Sequence, residues 1–188
     1  KATATAGSSG ASAFPADGAD ARATATGSLE ADAGASLDVD ATAGAGSGGD
    51  FSGVPGEAGR SGAGGDAVAD ADGTAVGTAA VSVSALAFAG SAGRAQGNGG
   101  TSTAQDTEND GGEAGNADAG ARASGGGAVD VSATAVGGAG GGAAEARSAG
   151  ATLRSSQMGG TPAANAYGAS TGGGPVHVDV RARGRQRR

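Results

Sequence analysis

One order of side chains runs through LDVDATA (Leu37–Ala43): large apolar, polar, Val, polar, small, polar, small. It returns in VSVSALA (Val81–Ala87), VDVSATA (Val129–Ala135) and VDVRARG (Val178–Gly184), with starts 44, 48 and 49 residues apart. Alternation with period two is the signature of a strand with one buried face. A second alternating segment ending in Gly precedes each phrase: Ala21–Gly27, Ala67–Gly73, Ala117–Gly125 and Ala164–Gly168. Each unit therefore reads as strand, turn, strand. Long Gly-rich stretches separate the units, and the opening ATATAGS (Ala2–Ser8) aligns with ATAGAGS (Ala41–Ser47).

Recurrence at a fixed period predicts near-identical units stacked on one another. In register, the inward ladders are Leu37, Val81, Val129 and Val178; then Val39, Val83, Val131 and Val180; then Ala41, Ala85, Ala133 and Ala182. Asp38, Ser82, Asp130 and Asp179 face outward. A slip of one residue would turn every Val into water. The fold expected is all-β: a stacked-repeat β-solenoid or fibrous β-sheet with long Gly-rich loops. Its rival is a bundle of polyproline II helices made by the Gly-rich stretches, which lack a sustained three-residue Gly period. Gly density disfavours helix throughout. Residues 1–184 form a single array, with second-strand phrases at 2–8, 37–43, 81–87, 129–135 and 178–184, and residues 185–188 form a basic tail.

Composition sharpens this expectation. Of 188 residues 42 are Gly and 49 Ala, against 12 Val, 4 Leu, 3 Phe and no Ile. Such a chain has too few large apolar groups for an ordinary core. A buried methylene-sized group contributes about 0.8 kcal/mol, whereas ordering one residue's backbone costs about 1–2 kcal/mol. Order then requires nearly complete backbone ladders and closely approaching layers, with stacking on neighbouring chains as a further source. Cys is absent, which excludes disulfides and thiolate metal sites. The apolar stretch Gly73–Gly93 alternates Ser82 and Ser84 with Val81 and Val83, so it suits a strand and not a membrane span.

Net charge is −7, yet Arg181, Arg183, Arg185, Arg187 and Arg188 crowd the C-terminal end of the sequence. An acidic body with a basic tail is electrostatically polar. Such a tail could extend the last strand and meet the acidic body of a neighbour, so these five Arg are the candidate assembly residues. Arg181 and Arg183 could equally block edge pairing. RQRR (Arg185–Arg188) also resembles the recognition sequence of furin-like proprotein convertases. With no aromatic to stack on a base and an acidic body, nucleic acid is not an expected partner.

Candidate chemistry is sparse. The single His, His177, shares a strand face with Asp179 and lacks the Ser elbow of a triad. GAGSGG (Gly44–Gly49) satisfies a dinucleotide pattern that chance supplies in a Gly-rich chain, and Lys1 is the only Lys, which excludes a Walker loop. Asp106, Glu108 and Asp110, followed by Gly111, resemble the first half of a calcium loop, with Asp70 and Asp72 a weaker echo. Ala117 stands where the bidentate Glu of such a loop is needed, so calcium is only a possible cofactor. No catalytic or cofactor-binding residues are assigned.

In composition and phrasing the chain resembles Ala/Gly/Thr-rich secreted repeat proteins, including bacterial surface β-solenoids and silk-like fibre proteins. That resemblance implies an extracellular or cell-surface structural role without catalysis. The expected function is a subunit that self-assembles head to tail into a fibre or matrix. The alternative is a monomeric adhesin whose Gly-rich loops meet a glycan or other surface ligand. Ice binding, by resemblance to insect antifreeze proteins, is less favoured: Thr3, Thr5, Thr24 and Thr26 begin Thr ranks that later units do not continue.

Overall fold

The computed structural model describes residues 1–31, 34–53, 59–97, 111–142 and 158–185. These residues form eleven strands: β1 (Ala2–Thr5), β2 (Ala21–Glu30), β3 (Ser36–Gly44), β4 (Phe51–Gly53), β5 (Ala67–Val76), β6 (Ala80–Phe88), β7 (Ala95–Gly97), β8 (Ala117–Gly125), β9 (Val129–Ala139), β10 (Pro162–Ser170) and β11 (Val176–Arg185). The Val-led phrases build a five-stranded sheet in the order β1-β3-β6-β9-β11. The Ala-led segments build a four-stranded sheet, β10-β8-β5-β2, and β4 pairs with β7 in a third. The two strands of a unit thus belong to different sheets that face each other across the core.

This corrects the expected fold class. Every strand pairing is parallel, in two separate sheets of five and four strands and in the small β4-β7 pair. Parallel-only sheets are the pairing usual in α/β proteins, where helices cover them. Here no helix is present among the described residues, and no closed coil is traced through them. The Gly-rich stretches, expected as long loops, are instead packed layers wherever they are described. The rival, a polyproline bundle, does not describe the architecture either, because sheets make up most of it.

Side-chain size explains how the sheets approach. The inner rows are Ala facing Ala, and Val81, Val83, Val129 and Val131 are the largest fully buried side chains. Where one sheet presents Val, the other presents Gly. A Cβ on Gly73 would stand 2.7 Å from Val83 Cγ2, and one on Gly125 2.8 Å from Val81 Cγ2. Gly27 and Gly168 take the same place opposite Val39 and Val131. The Gly that closes each first-strand phrase is therefore the socket for a Val.

Past the strands, the Gly-rich segments continue both layers. Within one layer the bonds recur every third residue: the amides of Ala45, Gly48 and Phe51 donate to the carbonyls of Phe88, Ser91 and Arg94. Amides at Ala89, Ala92 and Ala95 repeat the pattern one level on. Three residues per turn without internal bonds is the polyproline II spacing. A second set crosses between layers. Gly160 donates to Gly138, Gly138 to Gly115, Gly115 to Gly90, Gly90 to Gly65, Gly65 to Gly46, and Gly46 to Ala19, at 2.9–3.1 Å. Peptide groups here hold two layers together where side chains do so elsewhere. A Cβ on Gly90 would stand 1.9 Å from the Gly46 carbonyl oxygen, so only Gly permits this approach.

The ladders expected from the sequence form for three of the four phrases. Leu37, Val81 and Val129 stack, as do Val39, Val83 and Val131, and Ala41, Ala85 and Ala133. The fourth phrase is displaced by two residues. Val176, not Val178, pairs with Val129; Val178 pairs with Val131, and Val180 with Ala133. Its outer partner for Asp130 is His177, not Asp179. In this register the Val129 amide donates to the Pro175 carbonyl at 2.9 Å, as the Val81 amide does to Ala128 one level earlier.

Candidate functional site

The described surface consists of two sheet faces, the Gly-rich flank, and the two ends of the stack. On the five-stranded sheet two outer rows are polar, whereas the following rows also carry Leu86, Phe88 and Val136. Asp38, Ser82, Asp130 and His177 form one polar row, and Asp40, Ser84, Ser132 and Asp179 the next. Ser84 donates to Asp40 across the strands. Ser82 and His177 stand two strands apart, about 9.6 Å at the usual spacing. That distance is beyond hydrogen-bond reach, so the row offers no activated hydroxyl. His177 is exposed, with Asp130 beside it.

The Arg residues expected to serve assembly are placed in part. Arg181 and Arg183 share the outer face with His177 and Asp179, and Arg181 Nη2 lies 2.7 Å from Asp179 Oδ2 of its own strand. Arg185 follows a register shift and pairs with Ala139. Arg187 and Arg188 lie outside the described residues. So do Asp106, Glu108 and Asp110, the calcium candidates. Among the described residues no group of three potential metal ligands converges. Gly44–Gly49 lies in the Gly layers, with Gly46 and Gly49 donating to Ala19 and Ala16. No described helix is long and apolar enough to cross a membrane. The Thr pairs are separated: Thr3 and Thr5 lie on the five-stranded sheet, while Thr24 and Thr26 lie on the four-stranded one.

The sequence reading passed over a ladder of side chains just ahead of the Ala-led strands. Asp20 Oδ1 accepts from the Asp66 amide at 2.8 Å, Asp66 Oδ1 from the Asn116 amide at 2.6 Å, and Asn116 Oδ1 from the Thr161 amide at 2.9 Å. Each side chain satisfies a backbone donor one level up, at the point where the backbone pattern changes from three-residue to two-residue period. The signal was present as an Asp, Asp, Asn, Thr series preceding Ala21, Ala67, Ala117 and Pro162.

Among the described residues, each sheet has one strand at either side with a partner on one flank only. β1 and β11 are the edges of one sheet, β2 and β10 of the other. At the β11 end the inner face is only partly covered by β10, leaving Val176, Val178 and Val180 exposed by 44%, 43% and 46%. The buried Val129–Ala133 positions beside them are nearly inaccessible. Strand parity fixes the backbone direction. Because Val129 donates to Pro175, the amides of His177, Asp179 and Arg181 turn toward β9, and those of Val178, Val180 and Ala182 turn to the free edge. Apolar side chains and open backbone groups together define a surface suited to adding a parallel strand.

Comparisons with protein-family models, with curated proteins and with solved structures found no match to this chain.

Proposed function

We propose that the chain is a structural subunit of an extracellular or cell-surface fibre or matrix, growing by head-to-tail addition of further copies. The single observation behind this reading is the β11 edge, where half-exposed Val180 stands beside outward-facing amides. At the opposite end β1 offers a parallel edge of the same sheet. Extending the existing register sets Val180 against Ala2 of the next copy, Arg181 against Thr3 and Ala182 against Ala4. Such a contact uses different patches on the two partners and does not close on itself, which gives a filament and not a dimer.

The Gly-rich flank, as an adhesive loop surface, has less behind it, because its described Gly are engaged in bonds between layers. A substitution at the edge tests the assembly. Val180→Pro removes one outward amide without touching the ladder to β9, a change that edge strands tolerate. Sedimentation velocity over a rising concentration series is expected to show large species for the unaltered chain and monomer for V180P. Equal sedimentation of the two proteins would count against the reading.

A further inference from the structure

On the outer face of the four-stranded sheet, one position breaks the pattern. Its row reads Thr24, Asp70, Gly120, Asn165 across adjacent strands. The other Gly of this sheet, such as Gly73, face inward against Val. Gly120 faces outward, and a Cβ there would meet only Asp70 Oδ1 at 3.1 Å, the movable end of a side chain. Packing does not demand Gly at this place. Its consequence is an open groove of about 500 Å³ over the strand centre, which leaves room for close approach by a ligand or another backbone.

The walls of the groove carry specific chemistry. Asp70 and Asn165 flank Gly120 from the two neighbouring strands, about 9.6 Å apart at the usual spacing. In the next row Asp72, Arg122 and Tyr167 stand side by side. Tyr167 is the only Tyr in the chain and is 62% exposed. Arg22 Nη2 lies 3.0 Å from Asp70 Oδ2, which fixes the carboxylate at the groove margin. Planar carboxylate, amide and guanidinium groups can each engage two adjacent hydroxyls, and an aromatic face packs against the C–H face of a ring. The two Asp disfavour an anionic ligand, and the polar walls disfavour an apolar one.

We propose that this groove binds one pyranose unit of a neutral oligosaccharide, with the sugar ring over Gly120 and against Tyr167. Asp70 and Asn165 take its hydroxyls from opposite sides, and Asp72 and Arg122 set its orientation. The site is complete within one chain and does not depend on self-assembly, so the two readings fail separately.

The test is an amide-shift NMR titration of the monomeric V180P protein with cellohexaose, chitohexaose, laminarihexaose and mannohexaose as probes. At least one is expected to shift the amides of Gly120, Arg122 and Tyr167 together. Tyr167→Ala should weaken that binding about tenfold, the loss of roughly one aromatic contact. Gly120→Val should abolish it by filling the groove. Thr134→Ala, on the opposite sheet, should leave it unchanged. Tyr167 is exposed, so its variant keeps the test meaningful even if Gly120→Val disturbs the strand. Absence of shifts with all four sugars at millimolar concentration would overturn the proposal, as would binding that survives both groove substitutions.

Discussion

At the scale of the residue, cohesion in this protein comes from the absence of side chains as much as from their presence. Gly90 lets two backbones approach until a peptide hydrogen bond joins the layers, and Gly73 receives Val83. Gly90→Ala forces a Cβ within 1.9 Å of a carbonyl oxygen. It is expected to destabilise by about 3 kcal/mol or more, at the upper end of overpacking costs. Gly44→Ala has nothing within 4 Å of the added carbon and should stay within about 0.5 kcal/mol. Urea unfolding of the two variants distinguishes a steric role from a general preference for Gly. Equal midpoints would contradict it. Val follows the same logic. Val131 is wholly buried and Val178 is 43% exposed, so Val131→Ala should cost about 2–3 kcal/mol and Val178→Ala less than about 1 kcal/mol.

At the scale of the element, two periods meet in each layer, and a polar side chain marks the change. Asp66 stands there, accepting from the Asn116 amide. Asp66→Asn retains an acceptor and should be nearly silent, while Asp66→Ala should lower stability by about 1 kcal/mol. Thermal unfolding of the pair checks this, and a loss in both variants would show that charge, not the hydrogen bond, matters. The strands themselves were legible in the sequence because Val-x-Val alternation admits one inward face. Their register was legible only where a phrase was unambiguous. In PVHVDVRARG three Val alternate, so a displacement of two keeps every Val inward and the pattern cannot choose. The Gly layers were hidden for a related reason. Pairs such as Gly46 and Gly49, Gly62 and Gly65, or Gly90 and Gly93 lie three apart. Each segment nevertheless shows only two turns of that period, too few to stand out among 42 Gly. The alternation of Ala117, Ala119 and Ala121 turns Gly120 outward, but the groove was not legible because its neighbours Asp70 and Asn165 follow only from the register of the sheet.

At the scale of the whole molecule, stacking orders a chain poor in large apolar residues through bonds that run almost entirely from one level to the next. Among the described residues the outermost strand of the larger sheet, β11, carries a Val row that is only half covered. The account therefore turns on whether one copy continues the strand stack of another. Fibre diffraction from concentrated, oriented protein tests this most directly. The expected pattern has a meridional reflection at about 4.8 Å from strand spacing. A protein that remains an unoriented monomer at every concentration, or a 4.8 Å reflection lying across the fibre axis, would contradict it.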